Sequence, residues 1–344
     1  MQVREEVRLS DFTTLGVGGP ARFFCTLDSE QDLKPALEIE QSRVLPILIL
    51  GGGSNLLVAD TGFSGIVIHM GMRGIAFDAD RDDVIVSAKA GENWDSLVAL
   101  CAEKNLAGIE NLSGIPGYVG ATPIQNVGAY GQEVGTTIES VRAWDRVENR
   151  IATLGKSDCE FGYRTSVFNS RHRDRYVILE VVYRLRSDGS PNLKYRDLAD
   201  YFSSKKEKPS LENIRTAVLN IRRSKAMVID PNNPDSRSAG SFFKNPIVST
   251  SQLQKIRTIS ETDVPAFPAG DQHKVSAAWL IEQAGFSRGY VKGRAGISSK
   301  HSLAIINRGG ASASEIVALA KEMHEGVKAL FEIELEAEPV LVGF

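Results

Sequence analysis

A stretch rich in glycine and proline, residues 111–131, constrains this chain more than any other feature. Gly114, Gly117 and Gly120 are three residues apart, and two more glycines follow at 128 and 131. Glycine lets the backbone approach a ligand closely and reach positive φ angles. The stretch also carries apolar side chains that a solvated linker would lack, namely Ile115, Val119, Ile124 and Val127. The pattern predicts either backbone wrapped around a large, partly apolar ligand with a phosphate end, or tight turns in a core.

Composition limits the class of protein. The 344 residues suggest two or three domains, and 42% hydrophobic with 24% charged residues is ordinary for a globular protein. A net charge of −3 does not indicate the basic surface that nucleic-acid binding requires, so we expect no nucleic-acid partner. The three cysteines, Cys25, Cys101 and Cys159, predict neither a disulfide framework nor a metal site. Because no apolar run would span a membrane and no secretory signal is visible, we expect a cytoplasmic protein without membrane insertion.

Two glycine motifs lie nearer the N-terminus. Gly16, Gly18 and Ala21 match the dinucleotide fingerprint formally, but a strand-like run follows where the fingerprint needs a helix. A short apolar strand at 47–50 runs into a second motif, made of Gly51, Gly52, Gly53, Ser54 and Asn55. A glycine loop after a strand can point successive N–H groups at an anion. A glycine-rich hairpin is the alternative interpretation.

The predicted strands and helices do not alternate regularly. Strands are predicted at 84–90, 141–144, 176–185 and, from strict alternation with four glutamates on one face, at 331–338. Helices are predicted at 94–102, at 211–224 and from a Ser312–Glu315 capping box to Phe331. This irregular order favours an α+β fold over a doubly wound one.

Five motifs, taken in order, resemble one protein family. They are GGGSN at 51–55, GIPGYVGATPIQNVGAYG at 114–131, YRTSVF at 163–168, AGSFFKNP at 239–246 and LEAEPVLVG at 335–343. Together they are similar to the UDP-N-acetylenolpyruvoylglucosamine reductases, flavoenzymes of peptidoglycan precursor synthesis. The resemblance covers nearly the entire chain. The residues around Lys194 and Tyr195 resemble the tyrosine-bearing loop of the longer subclass of that family.

The resemblance implies an α+β fold of the vanillyl-alcohol oxidase type. Two α+β FAD-binding subdomains are then expected at residues 1–70 and 71–225, and an α+β substrate-binding domain at 226–331. A C-terminal strand at 332–344 would return to the active site. The resemblance also implies FAD as cofactor and NADPH as co-substrate. No histidine lies in the motifs or shows metal-ligand spacing, so we expect noncovalent FAD and no metal.

The implied reaction gives three residues a chemical role. NADPH reduces FAD, the flavin N5 delivers hydride to the enolpyruvyl methylene carbon, and the carbon bearing the carboxylate is protonated. By resemblance Ser241 donates that proton, and Arg164 and Glu338 act at the substrate carboxylate. An arginine offers a bidentate fork, whereas a glutamate there must be protonated or hydrogen-bonded. Other interpretations are a helix N-cap for Ser241, a surface ion pair for Arg164 and a solvated strand face for Glu338.

The C-terminal motif departs from the family pattern. The usual form is L-E-P-E-V followed by Arg or Lys, whereas this chain reads Leu335-Glu-Ala-Glu-Pro-Val340. The proline has moved and the basic residue is absent. Glu338 aligns with the second glutamate of the motif, and Glu336 is a rival for its role.

The resemblance also assigns the binding residues. The UDP portion is expected to contact Tyr195, Lys225, Asn245 and Gln283, with Tyr130 and Lys274 as further candidates. Flavin contacts are expected from Gly51, Gly52, Gly53, Ser54, Asn55, Ser113, Gly114, Ile115, Gly117, Gly120, Ala121, Gln125 and Asn126. For the cations at 222, 223 and 225 the alternative is a favourable interaction with a helix C-terminus.

Two rival functions remain open from the sequence. One is an alcohol oxidase on the same fold, which passes hydride to oxygen and often tethers FAD through His or Cys. The other is a sugar-nucleotide-binding protein without catalysis. The AGSFFKNP segment and Glu338 have no role in an oxidase, and the intact glycine loops argue against a decayed flavin site.

Overall fold

The computed structural model describes residues 1–193, 195–203, 208–260 and 262–344, and for residues 40–43 the backbone alone. The described strands are β1 Val3–Arg8, β2 Pro20–Leu27, β3 Ile47–Leu50, β4 Leu56–Val58, β5 Phe63–Met70, β6 Ile75–Asp80, β7 Asp83–Lys89, β8 Gly128–Ala129, β9 Gln132–Glu133, β10 Ile138–Asp145, β11 Arg150–Gly155, β12 Tyr176–Arg186, β13 Ile247–Val248, β14 Ala266–Ala269, β15 Gln272–Val275, β16 Val291–Lys292, β17 Ala295–Ile297, β18 Ile305–Asn307 and β19 Val340–Val342. The described α-helices are α1 Leu33–Arg43, α2 Trp94–Glu103, α3 Arg196–Phe202, α4 Leu211–Ser224, α5 Thr250–Ile259, α6 Ala277–Gln283 and α7 Ala313–Phe331.

The chain divides into two compact units, each built from separated segments. The first comprises residues 1–5, 23–52 and 65–223, and the second comprises residues 6–22, 53–64 and 224–344. Strands and helices occur in both units without a regular alternation. The α+β class is therefore confirmed, while the three-domain division stays a prediction.

The first unit is centred on a five-stranded antiparallel sheet with the order β11-β10-β12-β7-β6. Helix α2 begins at the Asn93 cap, whose side chain accepts the Ser96 N–H. Its apolar positions recur every three or four residues, so one face is buried. Trp94, Leu97 and Cys101 on that face are at most 1% exposed and share a core with the sheet residues. A four-stranded sheet has the order β1-β2-β5-β3, with β3 parallel to β5.

The second unit has a core of its own around α7. Ser312 and Glu315 form the predicted capping box, and the buried face carries Ile316, Leu319 and Met323. Two three-stranded sheets, β13-β15-β14 and β16-β17-β18, and the parallel pair β19-β4 belong to this unit. Burial of that apolar helix face supplies most of the stability that such a helix has in a protein.

The strand predicted for residues 331–338 is wrong. Helix α7 continues through Phe331, Glu332 ends it in a left-handed conformation at φ +57°, and β19 begins only at Val340. The alternation is nevertheless real, since Ile333 and Leu335 are buried between exposed glutamates. In the part of the chain that the structure describes, this segment pairs through the isolated bridge between Phe243 and Ala337 alone, so it is extended without forming a ladder.

Other local predictions are confirmed. Residues 20–27 form a strand, which removes the helix that the dinucleotide fingerprint at Gly16 requires. Helix α4 spans residues 211–224 and the strands at 84–90, 141–144 and 176–185 correspond to β7, β10 and β12. Within the described residues, no helix is both long and apolar enough to cross a lipid bilayer.

Candidate functional site

Gly51 and Gly52, the start of the first glycine loop, follow β3 and pack directly on the central glycine stretch. These two residues and the central stretch belong to the first unit, whereas residues 53–55 of the loop belong to the second. A Cβ atom on Gly52 would stand 2.8 Å from the Gly117 Cα, and one on Gly51 would stand 3.6 Å from the Tyr118 Cβ. Only glycine at position 52 allows the two backbones to come so close. The absence of a Cβ at Gly52 therefore lets the two glycine segments pack backbone against backbone.

The central stretch is tied to the body of the first unit through its backbone. The N–H of Val119 donates to the Glu92 carbonyl, and that of Gly120 donates to the Ala90 carbonyl, both at 2.9 Å. A Cβ on Gly120 would stand 2.7 Å from the Ala90 Cβ. Gly114 and Gly117 have φ angles of +71° and +124°. The stretch is thus a rigid set of turns and two short 3-10 helices, at Glu110–Leu112 and Val119–Ala121.

Two residues predicted to contact flavin use their side chains to hold this stretch. Asn126 Nδ2 donates to Glu133 Oε2 and to the Gly162 carbonyl, while Asn126 Oδ1 accepts the Gly135 N–H. Ser113 Oγ donates to the Glu110 carbonyl at 2.7 Å. Both side chains are almost fully buried. Any flavin contact at Ser113 or Asn126 therefore falls to the backbone, and the assignment of both stays a prediction.

The remaining predicted flavin residues lie at the surfaces of the two glycine segments. Gly51, Gly52, Gly117 and Gly120 are half-buried, as are Ile115 and Gln125, whereas Ala121 is exposed. In the second unit Gly53 is buried, and a Cβ there would stand 1.8 Å from the Phe12 carbonyl oxygen. Ser54 and Asn55 are half-buried. The backbone at Gly53 is thus packed tightly against that of Phe12.

Arg164 lies against the second half of the central stretch, within the first unit. A Cβ on Gly128 would stand 3.5 Å from Arg164 Nη1. Arg164 has a φ of +56°, and its carbonyl accepts a hydrogen bond of 3.1 Å from Asn169 Nδ2. A non-glycine residue in this conformation is uncommon and is favoured only when its surroundings over-determine it. The guanidinium is therefore held beside the glycine stretch, as a half-buried side chain.

Two predicted substrate residues of the first unit meet. The rings of Tyr130 and Tyr195 pack edge to face, with centroids 5.4 Å apart. Lys194, the neighbouring residue of the predicted loop, lies outside the described residues. Burial raises the pKa of the Tyr130 phenol, which also hydrogen-bonds Arg222. The phenol therefore stays neutral at physiological pH.

Sequence reasoning missed Arg222, which was assigned to the C-terminus of a helix. The side chain is only 7% exposed, at the buried face of α4. The spacing along the helix indicates that Arg222 faces inward, because it follows the buried residues Ile214 and Val218 at intervals of four. A charged residue at an inward helix position is rarely buried without a specific partner, here Tyr130.

Ser241 begins an extended segment of the second unit. The N–H of Phe242 donates to the Leu303 carbonyl at 2.8 Å, and Gly240 precedes Ser241 at φ +78°. Residues 237–246 contain no helix, so the helix N-cap interpretation of Ser241 is wrong. Ser241 itself is half-buried.

The C-terminal segment runs alongside Ser241. The N–H of Lys244 donates to the Glu336 carbonyl, and the N–H of Glu338 donates to the Phe242 carbonyl, both at 2.9 Å. Lys244 Nζ lies 2.5 Å from Glu336 Oε1, whose side chain is 73% exposed. Glu338 is half-buried. Lys244 is thus paired with Glu336, and Glu338 is the less exposed of the two rival glutamates.

Asn55 joins the same group of residues. Its Nδ2 donates to the Glu338 carbonyl at 3.1 Å, and its own carbonyl accepts the Val340 N–H at 2.9 Å. The end of the first glycine loop, the Ser241 segment and the C-terminal segment are therefore brought together in the second unit. This grouping joins residues from three of the five sequence motifs.

The other predicted substrate residues of the second unit lie on neighbouring elements. Asn245 Oδ1 accepts the Ala277 N–H at the start of α6, at 2.9 Å. Lys274 is paired with Ile247 across β13 and β15. Gln283 is exposed at the opposite end of α6. Lys225 is half-buried directly after α4. Asn245 and Lys274 are thus neighbours, whereas Gln283 is separated from Asn245 by the length of the helix.

Comparison with known proteins places the chain in a family. Residues 21–151 match the model of an FAD binding domain. Residues 231–342 match the C-terminal domain of UDP-N-acetylenolpyruvoylglucosamine reductase. The reductase of that name from Thermobifida fusca is 48% identical, over 98% of this chain and 97% of its own length. The chain belongs to the UDP-N-acetylenolpyruvoylglucosamine reductase family. The Nocardia farcinica member is 45% identical, over 99% of this chain and 90% of its own.

A solved structure of the same family agrees in fold. The UDP-N-acetylenolpyruvylglucosamine reductase from Thermus caldophilus covers 99% of both chains with a TM-score of 0.68 and 27% identity. The predicted family and the predicted FAD-binding fold are therefore confirmed. The individual site residues stay predictions, because no comparison assigns them.

The backbone of this reductase-family chain fits an FAD diphosphate. The packing of Gly52 on Gly117 brings the backbones of two glycine segments together, and N–H groups of adjacent segments can converge on a phosphate. The three cysteines do not fit a covalent tether. All are buried, and burial raises the pKa of Cys25 to about 11 and those of Cys101 and Cys159 to about 12. Among the described residues, no group of His, Cys, Asp and Glu could hold a metal ion.

Proposed function

We propose that this chain reduces the enolpyruvyl group of UDP-N-acetylglucosamine-enolpyruvate to UDP-N-acetylmuramate, a peptidoglycan precursor, with NADPH as reductant. The observation that carries the proposal is the pairing of the Ser241 segment with Glu338. It occurs in a chain whose relatives bear the name of this reductase and match it over 97% and 90% of their own lengths. Three free cysteines are consistent with the cytoplasmic location expected from the sequence.

The cofactor would be held noncovalently on the glycine segments. Bound FAD would supply the hydride chemistry, by accepting a hydride from NADPH and passing one to the vinyl methylene carbon of the substrate. The chain would contribute backbone N–H groups around Gly51, Gly52 and Gly117, which the packing of Gly52 on Gly117 brings close together. Such groups need no reorganisation to meet an anion, which favours binding of the diphosphate.

Ser241 is the proposed proton donor. Hydride addition to the methylene carbon leaves negative charge on the neighbouring carbon and its carboxylate, and a proton must then reach that carbon. Ser241 is half-buried, begins no helix and lies beside the backbone that carries Glu338. Its Oγ would give its proton to the carbon and regain one from solvent. A hydroxyl is a weak acid, so this step needs hydrogen-bond donors that stabilise the alkoxide.

Arg164 and Glu338 are proposed to act on the substrate carboxylate. The guanidinium of Arg164 can bind a carboxylate through two parallel hydrogen bonds. Its Nη1 lies beside Gly128 in the first unit, since a Cβ on that glycine would stand 3.5 Å away. Glu338 would stabilise the charge that develops on the carboxylate by donating a proton in a hydrogen bond. Both contributions are greatest when charge develops, which is when catalysis needs them.

The UDP portion is proposed to bind the remaining predicted residues. Lys225 would provide a point charge for the diphosphate, and Tyr195 an exposed aromatic ring beside Tyr130. Asn245 uses its Oδ1 on the Ala277 N–H, which leaves its amide hydrogens to donate. Gln283 and Lys274 complete the proposed set. These residues belong to different elements, so nucleotide affinity would depend on several of them.

One experiment tests the function and its rivals together. Purified protein is mixed anaerobically with NADPH and the enolpyruvyl sugar nucleotide, and NADPH absorbance and product mass are followed. We expect NADPH consumption beyond one equivalent per bound flavin only when the nucleotide is present, and the product to gain two hydrogen atoms. No NADPH consumption in this mixture, together with oxygen uptake when an alcohol is supplied in air, would support the alcohol oxidase instead. Colourless protein that binds the nucleotide without turnover would support the non-catalytic binder.

A second measurement tests the mode of FAD attachment. Acid precipitation should leave the flavin in the supernatant, because the buried thiols have raised pKa values and none is available as a thiolate. Yellow colour retained by the washed precipitate would show a covalent bond and contradict the proposal.

A further inference from the structure

The carboxylate of Asp95 connects three elements of the first unit. Asp95 lies in α2, forms an ion pair with Arg215 of α4, and accepts a hydrogen bond from the central glycine stretch. Arg215 Nη1 donates to Asp95 Oδ1 at 2.5 Å and Arg215 Nη2 donates to Asp95 Oδ2 at 2.8 Å. The N–H of Gly114 donates to Asp95 Oδ1 at 2.6 Å. All three residues belong to the first unit. An acidic residue in the first turn of a helix is ordinary, but this one also has two partners outside its own helix.

Gly114 is the first glycine of the stretch that carries the predicted flavin contacts. It is buried, has a φ of +71° and follows Ser113, whose side chain is already used on the Glu110 carbonyl. Asp95 therefore holds the N-terminal end of the stretch through a backbone N–H. A buried N–H without this acceptor would be unsatisfied, which favours a rearranged turn.

Arg215 brings α4 into the same arrangement. Arg222 lies seven residues later on α4, which places it on the same helix face two turns on. Arg222 hydrogen-bonds Tyr130, near the other end of the glycine stretch. Helix α4 thus contacts the stretch near both ends, through Asp95 at Gly114 and through Arg222 at Tyr130.

The Asp95 carboxylate is charged under ordinary conditions. Burial raises the pKa of Asp95, but the hydrogen bonds from Arg215 and from the Gly114 N–H outweigh it, so the pKa lies below its usual value. A charge-assisted bidentate pair is shorter and stronger than a neutral hydrogen bond. Both side chains are mostly buried, at 19% exposure for Arg215 and 33% for Asp95. Solvent therefore screens the pair less than it screens an exposed one.

We propose that Asp95 and Arg215 are positioning residues for FAD, which fix the turn at Gly114 and α4 in the geometry that receives the cofactor. Neither is proposed to touch the flavin or the sugar nucleotide. The proposal rests on the proposed function only for the use of the glycine stretch by FAD. It predicts that loss of the pair alters flavin binding in addition to stability.

A matched pair of variants separates positioning from simple structural support. Asp95→Asn keeps an acceptor for Gly114 but removes the charge that holds Arg215. Asp145→Asn does the same to a similar arrangement elsewhere in the first unit, where Asp145 binds Arg175 through both oxygens and accepts two backbone N–H groups. Asp145 belongs to none of the glycine segments, and α4 is not among its partners. Both variants should lower the melting temperature of the flavin-free protein.

The deciding measurements are the FAD dissociation constant, from quenching of flavin fluorescence, and the visible spectrum of bound flavin. Asp95→Asn should weaken FAD binding on the order of tenfold and alter the spectrum, since a charged hydrogen bond is worth about that factor. Asp145→Asn should leave both at the parent values. If Asp95→Asn fails to fold, Arg215→Lys, which keeps the charge but loses the fork, should weaken FAD binding by a factor of about three.

Parent-like FAD binding and spectrum in a folded Asp95 or Arg215 variant would overturn the proposal and leave a purely structural pair. An equal loss of FAD binding in Asp145→Asn would overturn it as well, because the effect would then follow stability. These outcomes are distinct from failure of the proposed function, in which the parent protein itself would bind no flavin or would not reduce the enolpyruvyl substrate.

Discussion

The backbone N–H of Glu338 donates a hydrogen bond of 2.9 Å to the carbonyl oxygen of Phe242, the residue that follows Ser241. This bond fixes the C-terminal segment beside the proposed proton donor. The side chains at 241 and 338 are therefore carried by backbones that cannot move apart independently. Pre-organisation of this kind lowers the cost of bringing reacting groups together.

The Ser241 assignment predicts a selective loss in one half-reaction. In Ser241→Ala, FAD content and the rate at which NADPH bleaches the flavin should stay at parent values. Recovery of flavin absorbance on addition of the enolpyruvyl substrate should slow by about 10²–10⁴-fold, the range for a single general acid. Stopped-flow spectroscopy follows the two steps separately.

Stability and chemical rescue provide controls for Ser241. Because Ser241 caps no helix, Ser241→Ala should change the free energy of unfolding by only about 0.5 kcal/mol. Ser241→Cys should regain part of the lost rate, since a thiol is a better acid than a hydroxyl. Recovery of absorbance at the parent rate in Ser241→Ala would exclude Ser241 as the donor.

The two rival glutamates give a second prediction. Glu338→Ala should lower kcat with the enolpyruvyl substrate by about 10²-fold, because alanine lacks the hydrogen-bond donor proposed to act at the developing charge. Glu336→Ala should leave kcat nearly unchanged, because the Glu336 side chain is exposed and pairs with Lys244. Steady-state kinetics on both variants decides between them. A larger loss in Glu336→Ala would transfer the role to Glu336.

Lys225 gives a third prediction, with its neighbour Arg223 as control. Lys225→Ala should raise the KM for the sugar nucleotide by an amount equivalent to about 1.5–3 kcal/mol, because a charged hydrogen bond is lost. Arg223→Ala removes an exposed cation from the end of α4 and should leave KM within about twofold of the parent. The same KM in Lys225→Ala and parent would place Lys225 outside the nucleotide site.

Asp145 gives a fourth prediction, on stability and pH. The hydrogen bonds from Arg175 lower the pKa of Asp145 to about 2. The residue is buried, with only 2% of its surface exposed. The folded-state pKa is below the unfolded value of about 3.9, so the contribution is present above that pH and is lost as the pH falls toward 2. Asp145→Asn should therefore cost stability at neutral pH, on the order of 1 kcal/mol because Arg175 is partly exposed to solvent.

The measurement is the difference in melting temperature between parent and Asp145→Asn across a pH series. This difference should be constant from pH 7 to about 5 and should shrink below about pH 4. A difference that grows on acidification has the wrong sign and would contradict a lowered pKa for Asp145.

Local features of the fold could be predicted from the sequence because their causes are local. The Ser312–Glu315 capping box and the spacing of Ile316, Leu319 and Met323 define α7, and the structure contains both. Periodicity likewise placed α4 at residues 211–224. Such signals depend on neighbours within one or two helical turns.

What the sequence could not predict depends on distant partners. Alternation at 331–338 predicts a strand, but a strand needs a neighbour along its length, and among the described residues this segment has one bridge, at Ala337. Ser241 resembled an N-cap because nothing local shows that residues 237–246 stay extended. Arg222 lies at an inward position of α4 whose meaning depends on Tyr130. Composition draws attention to the two glycine segments, whose flavin contacts stay a prediction, whereas the packing of Gly52 on Gly117 depends on residues distant in sequence.

The hydrogen bond between Asn55 and Glu338 connects residues 283 positions apart. During synthesis on the ribosome, β4 therefore emerges long before β19, the strand that pairs with it. Leu57 and Val58 are fully buried in the folded protein. Until β19 has been synthesised, these apolar side chains lack the strand that pairs with β4 and stay exposed. Such a segment is prone to wrong association while the chain is incomplete. Long-range closure of this kind also slows folding. A nascent chain stopped before residue 338 would lack the proposed glutamate, so catalytic competence would come after nearly all of the other contacts had become possible.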